Sequence, residues 1–269
     1  VRIPDGVTEI PIRAFAGSDI SSVTVPASVT AIRMRAFTGC QNLSEVVFES
    51  GSFELVIESG AFANCSSLTS ITLPARMGEL EIGNESLGTV YGVDLFNGSI
   101  YLENIFVEEG NKYYSSVDGV LCDATGTTII HFPNGRRGEY VVGNRITAIA
   151  SYAFSGHRLS SVVFHSGVSS IGENAFYGCY NLESITFKGG LLPAELTVGE
   201  NAFSFAYQND ALTEVIFEAG SNVVEIGKGA FANNVGLTTI EIPNTVKKIG
   251  ESAFANCSVL KLSLIHISE

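Results

Sequence analysis

The chain has 269 residues, 45% hydrophobic and only 16% charged, which supplies apolar material for a packed core and is the wrong balance for a disordered chain. Its formal net charge of −13 argues against nucleic acid as a partner, because that affinity comes largely from Lys and Arg neutralising phosphates, and disfavours anionic membranes for the same reason. No apolar run approaches the roughly 18 residues of a membrane-spanning helix, so no direct membrane insertion is expected.

From the N-terminus, Val1-Arg-Ile-Pro-Asp-Gly6 reads as the end of a repeat strand, so the array is expected to start upstream, with any signal peptide preceding it. The dipeptide Ala-Phe then returns with Phe at 15, 37, 62, 154, 176, 203, 231 and 254, spaced by 22, 25, 22, 27, 28 and 23 residues within two blocks. Units of this size cannot bury an apolar face alone and must stack on their neighbours. Upstream of each Phe lies an aliphatic-x-x-Ile-(Gly) element, as in Val168-Ser-Ser-Ile171-Gly172 and Val246-Lys-Lys-Ile249-Gly250. Three residues after it stand Ser18, Cys40, Cys65, His157, Cys179, Ala206, Asn234 and Cys257, mostly small and able to hydrogen-bond. An alternating Leu-x-x-Ile-x-Leu/Phe run follows, as in Leu68–Leu73, Leu182–Phe187 and Leu237–Ile242, and predicts a strand with one buried face. Pro26, Pro74 and Pro243 stop these strands, since proline has no amide hydrogen to donate.

This pattern resembles the BspA-like leucine-rich repeat, whose consensus is close to Leu-x-x-Ile-x-(Leu/Ile)-Pro-x-x-(Val/Leu)-x-x-Ile-(Gly)-x-x-Ala-Phe-x-x-Cys, over residues 1 to about 100 and about 140 to 260. The resemblance implies a β-rich solenoid of right-handed coils, about 22–28 residues each, with a parallel sheet on one face and single helical turns at Ala-Phe-x-x-Cys. It also implies a surface or secreted protein of bacteria or some protists, extracellular or at the cell surface, its signal and anchor outside this sequence. Segment 111–133 resembles the β-hairpin insert of the same class, with turn residues Asp118-Gly119 and Thr125-Gly126 and with 119–123 expected to pair with 127–132. Before it, Ile82-Gly-Asn-Glu-Ser-Leu87 reads as a degenerate repeat turn and 88–100 as a loop insertion. Longer bends are expected at 188–196 and 204–211. No Ser/Gly/Pro linker separates the halves, so one domain is expected over 1–261. The octapeptide 262–269 resembles the conceptual translation of a sequencing-library adaptor and is read as a non-native tail on a metagenomic fragment, since an aliphatic residue is wanted at Ser263; its alternation also permits a final edge strand.

Four cysteines, Cys40, Cys65, Cys179 and Cys257, share one repeat position, where each is expected to point inward and satisfy a backbone group at the bend. A disulfide between Cys40 and Cys65 of consecutive coils stays open, with free thiols the expectation. For catalysis, only Cys122 and His131, with Asp123 adjacent, come near one another locally, and nothing beside them suggests an oxyanion hole. No metal motif is present, Gly227-Lys-Gly229 belongs to a repeat turn, and no cofactor is called for. Sequons at Asn42, Asn64, Asn84, Asn97 and Asn256 are incidental in a bacterial protein.

What remains is surface. The outward strand positions form the candidate binding face: Glu45, Val47, Asn104, Phe106, Ser161, Val163, Ser184, Thr186, Glu214, Ile216, Thr239 and Glu241, with Ser22, Thr24, Ser70 and Thr72 beside them. The expectation is a non-enzymatic adhesion or binding module for a protein or glycan on a host or microbial surface. The alternatives are a passive spacer or stalk carrying another domain, or the targeting repeats of a larger cell-surface enzyme.

Overall fold

The computed structural model describes residues 1–80, 95–190 and 194–264, the side chains of 262–264 excepted. Contacts gather into two compact units, one of residues 1–126 with 130–136, the other of 127–129 with 137–269. Both are β-solenoids, and each is held by three hydrogen-bonded ladders that pass from coil to coil.

The first ladder is the parallel sheet built by the Leu-x-x-Ile-x-Leu runs. In the first unit Ser22–Val25 (β2) pairs with Glu45–Phe48 (β4), and Ser70–Leu73 (β6) with Asn104–Val107 (β7). In the second, Arg137–Val141 (β11), Arg158–Phe164 (β13), Ser184–Phe187 (β15) and Glu214–Phe217 (β17) form a four-stranded parallel sheet, and Thr239–Ile242 (β19) pairs with Lys261–Leu264 (β21). Alternation sets the burial: Val23, Ile71, Ile105, Val162, Ile185 and Ile240 are buried while their neighbours face out. Strands β2, β6 and β19 end immediately before Pro26, Pro74 and Pro243, as expected, and each proline carbonyl accepts from the amide three residues on.

The second ladder carries the aliphatic-x-x-Ile elements. Glu9–Ile10 (β1), Ala31–Ile32 (β3) and Val56–Ile57 (β5) pair in parallel in the first unit. In the second, Ala148–Ile149 (β12), Ser170–Ile171 (β14), Leu196–Val198 (β16), Val223–Ile226 (β18) and Lys248–Ile249 (β20) do the same. The glycine after Ile serves the close approach of coils there: a Cβ on Gly172 would lie 2.4 Å from the backbone nitrogen of Ser151.

The third ladder corrects an expectation. The Ala-Phe segments are runs of turns rather than helical turns, and no helix occurs among the described residues. The residue two before Phe has positive φ in all the Ala-Phe coils (Arg13, Arg35, Gly60, Tyr152, Asn174, Asn201, Gly229, Ser252), and so does the residue two after it except at Phe205. Left-handed residues at both ends forbid helix propagation. Alternate amides instead reach the next coil: Phe15 N donates to Ala36 O at 2.8 Å and Gly17 N to Thr38 O at 2.8 Å, while Ala14, Ala16 and Ser18 N bond three residues back.

Inside this ladder the Phe rings stack as expected. Successive centroids lie 5.1 and 5.4 Å apart along Phe15, Phe37 and Phe62, and 4.4, 4.9, 5.3 and 5.5 Å apart along Phe154, Phe176, Phe203, Phe231 and Phe254. A second aromatic row at the strand ends, Phe164, Phe187 and Phe217, stacks at 5.3 and 5.0 Å and meets the first row edge-on, Phe164 to Phe176 at 88°. Offset-stacked and edge-to-face pairs are the two favoured aromatic arrangements.

At five of the Ala-Phe coils the side chain three residues after the ring donates to the carbonyl of the ring one coil earlier. Cys40 Sγ reaches Phe15 O at 3.0 Å, Cys65 Sγ reaches Phe37 O at 3.3 Å, Cys179 Sγ reaches Phe154 O at 2.9 Å, and Cys257 Sγ reaches Phe231 O at 3.2 Å. Asn234 Nδ2 does the same for Phe203 O at 3.0 Å. All five cysteines are free thiols, so no disulfide joins Cys40 and Cys65.

The same hydrogen bond locates two spine positions that the sequence reading misplaced. Ser99 Oγ donates to Phe62 O at 2.8 Å, and the Phe96 ring lies 6.2 Å from that of Phe62. Residues 95–100 are therefore a repeat turn, Leu95-Phe96-Asn-Gly98-Ser99, not part of a projecting loop; the proposed degenerate turn at 82–87 and the loop's first part, 88–94, lie outside the described residues. Next, Asn134 Nδ2 donates to Phe96 O at 2.8 Å, and His131 sits 5.9 Å from the Phe96 ring, so His131 holds the ring position.

At the C-terminal end, β21 pairs Leu262 with Ile240, Ser263 with Glu241 and Leu264 with Ile242, which is the register of a repeat strand entered one residue early. Residues 265–269 of the segment read as a non-native tail lie outside the described residues.

Candidate binding face

Position by position, the first ladder presents the candidate residues outward. Glu45, Val47, Phe106, Glu214, Ile216, Thr239 and Glu241 are exposed; Asn104, Ser161, Val163, Ser184 and Thr186 are half-buried. In the first unit the apolar members are Val47, 42% exposed, and Phe106, 43%, in register with Thr24 and Thr72 respectively.

The second unit brings the candidates into one row. Register places Val141 beside Val163, Val163 beside Thr186, and Thr186 beside Ile216. Val141 and Ile216 are the more exposed members of the row, at 55% and 38%. A parallel polar row runs Glu139, Ser161, Ser184, Glu214, so the apolar stripe is bordered by hydroxyls and carboxylates. Val141 was missed from sequence: β11 precedes the first recognisable repeat of its block, and its signal was only the alternation Glu139-Tyr-Val141-Val142.

Asn104 belongs to the structure more than to the face. Its side-chain oxygen accepts from Arg136 Nη2 at 3.0 Å, and Arg136 also donates to Glu103 O at 2.7 Å and to Asp118 O. Asp118 is the turn of the hairpin, in which Tyr114–Val117 (β8) and Val120–Asp123 (β9) pair antiparallel. That turn docks on β7, where Ile105 N donates to Gly119 O at 2.8 Å. The hairpin is thus built into the core: Tyr114, Val120, Leu121 and Cys122 are buried, and the Tyr114 hydroxyl accepts from Leu80 N at 2.9 Å, burial raising its pKa. Of segment 111–133, Lys112, Tyr113, Asp118, Ala124 and Thr125 are exposed, Lys112 and Tyr113 being the pair that flanks the hairpin's first strand.

The Cys122–His131 pair offers no open site. Cys122 is fully buried, and His131 is 7% exposed and packed on Phe96. The repeat cysteines are equally removed from nucleophilic chemistry: burial raises the Cys65 and Cys179 thiols to about 12, with the neighbouring Cys40 adding to the shift at Cys65. Among the described residues no cluster of His, Cys, Asp or Glu suits a metal ion, and no helix is long and apolar enough to cross a membrane.

Stacked coils joined by a paired sheet face and a turn ladder define a repeat-type solenoid scaffold. The chain belongs to the BspA type leucine rich repeat family: that repeat region matches in six copies over residues 1–116 and 132–261. Proteins of this family are generally surface-associated repeat proteins.

Among solved structures, the chain is similar to the pneumococcal vaccine antigen PcpA, with 26% identity and a TM-score of 0.64 over 96% of this chain and 60% of that one. It therefore spans less than two thirds of that protein's length. It also shares the fold of a leucine-rich repeat protein from Eubacterium ventriosum, at 19% identity and a TM-score of 0.51, over 95% of this chain and 82% of that one. No curated protein matches the chain.

Proposed function

We propose that the chain is a non-enzymatic, surface-displayed binding module whose sheet face engages a protein or glycan on a host or microbial surface. The observation that carries this reading is the register-aligned apolar stripe Val141–Val163–Thr186–Ile216 with its polar border. Exposed apolar side chains scattered singly are ordinary, whereas aligned ones offer continuous area that a partner desolvates together. Display outside the cell is supported by the family and by PcpA, a vaccine antigen, since antibodies reach only what a cell shows or releases.

Recognition of this kind uses many modest contacts along the array, with no cofactor and no nucleic acid. The test is binding of the purified chain to immobilised extracellular-matrix proteins, mucins and a glycan array, beside a Val141→Ser/Ile216→Ser variant of unchanged circular dichroism. Saturable binding that falls about tenfold in the variant supports the reading. No saturable binding to any surface ligand sinks it and favours a passive spacer.

A further inference from the structure

The turn ladder of the first unit holds a groove of about 620 Å³ that the sheet face does not share. It is lined by the small residues Gly17, Gly39, Gly60 and Ala63 and by Arg13 and Arg35. These arginines occupy the same repeat position one coil apart, a step measured by the 5.1 Å between the Phe15 and Phe37 rings. Both have positive φ, 56° and 57°, at a position filled elsewhere by Gly, Tyr, Asn or Ser. An extended cationic side chain is an unfavoured choice for left-handed backbone, so its double use there asks for a reason.

Neutralisation within the chain is not that reason. Among the described residues neither Arg13 nor Arg35 has an ion-pair partner, and no carboxylate lines the groove. Glu58, which precedes the groove-lining Ser59, is turned to other donors: Oε1 accepts from Arg33 Nη1 and Oε2 from the Met34 amide, both at 2.7 Å. Arg2, Arg33, Lys228, Lys247 and Lys248 pair with Glu, and Arg76 and Arg136 donate to backbone carbonyls, whereas among the described residues the Arg13 and Arg35 guanidiniums do neither. The stem of Arg35 lies across Gly60, whose Cβ, if present, would be 3.0 Å from Arg35 Cγ, so Gly60 leaves room for that side chain along the groove.

We infer that this groove binds an anionic sugar, with the Arg13 and Arg35 guanidiniums sharing a uronate-type carboxylate. Two guanidiniums one coil apart, unneutralised in a chain of net charge −13, supply the anion specificity. The hydroxyls of Thr38 and Ser59 and the amide of Asn64 line the same groove and suit the ring hydroxyls of a sugar. A peptide is the poorer fit, because the alternate amides of the ladder are already bonded from coil to coil and leave no strand edge to extend.

Isothermal titration of the full chain with hexagalacturonate tests this, beside maltohexaose as the neutral sugar and hexaglutamate as the acidic peptide. The expected result is binding of hexagalacturonate alone, weakened by salt, and lost about tenfold or more in Arg13→Gly/Arg35→Gly. Glycine suits the left-handed backbone, so that variant keeps the fold, and Arg158→Gln, in the second unit, should bind as the wild type does. Absence of hexagalacturonate binding, undiminished binding by the double variant, equal loss in Arg158→Gln, or tighter binding of hexaglutamate would each overturn the assignment. Because the sheet-face variant Val141→Ser/Ile216→Ser leaves this groove intact, the two sites fail or hold independently.

Discussion

Cys179 Sγ lies 2.9 Å from the carbonyl oxygen of Phe154, one coil earlier, with both residues fully buried. The thiol is a donor to a carbonyl that solvent cannot reach. Cys179→Ala should therefore cost about 1–3 kcal/mol, the usual penalty for orphaning a buried polar group. Cys179→Ser should cost less, because Ser99 makes the equivalent bond to Phe62 O at 2.8 Å. Chemical denaturation of the two variants checks the order; equal losses would mean that packing, not the hydrogen bond, sets the cost.

Burial raises the Cys65 and Cys179 thiols from 9.0 to about 12, so the folded state holds these protons more tightly than the unfolded chain. The sign follows: the stabilising contribution is complete below pH 9 and is lost as pH rises from there through about 12. Native protein at pH 8 should leave both thiols unlabelled by iodoacetamide, with labelling appearing only in denaturant. Mass-spectrometric mapping decides it, and modification of either thiol in the native protein would contradict the buried placement.

The aromatic spine should be unequal along its length. Phe176 stacks on Phe154 and Phe203 and meets Phe164 edge-on, whereas Phe15 is half-buried and stacks on Phe37. Phe176→Ala is expected to cost about 3–5 kcal/mol and Phe15→Ala about half of that or less. Similar values from urea unfolding would show that the first ring is as enclosed as the middle ones.

Two glycines separate conformation from space. Gly39 has φ of 73° and nothing closer than 3.8 Å to an added Cβ, while Gly172 faces backbone at 2.4 Å. Gly39→Ala should cost about 1–2 kcal/mol through the left-handed backbone alone, and Gly39→Asn less, since Asn64, Asn233 and Asn256 hold that repeat position with positive φ. No side chain should rescue Gly172, because the neighbouring coil itself must move. Thermal melts of Gly39→Asn and Gly172→Asn should differ clearly; equal losses would refute the distinction.

The spine, the thiol donors and the outward register were legible because each rests on a residue type that chemistry demands at a fixed spacing. Phe fills a layer, Cys or Asn donates at Phe+3, and alternation marks a half-buried strand. Two spine positions escaped for the converse reason. Phe96 follows Leu rather than Ala and stands 34 residues after Phe62 (96 less 62), and His131 replaces a ring behind the hairpin. The left-handed residues before Phe were hidden because Arg, Gly, Tyr, Asn and Ser all serve, the ladder imposing the backbone that most of them disfavour.

The hairpin is the rival location for binding, since ligand contacts concentrate on loops held by rigid scaffolds. Deleting it would remove Tyr114, Leu121 and Cys122 from the core, so its exposed Lys112 and Tyr113 are the residues to change. The decisive measurement is surface plasmon resonance of a captured surface ligand against two folded variants, Phe106→Ser/Val163→Ser/Ile216→Ser and Lys112→Ser/Tyr113→Ser. Recognition by the sheet face requires the triple variant to lose binding by about tenfold or more while the hairpin variant keeps it. Binding retained by the triple variant and lost in the hairpin variant would contradict it and move the site to the hairpin.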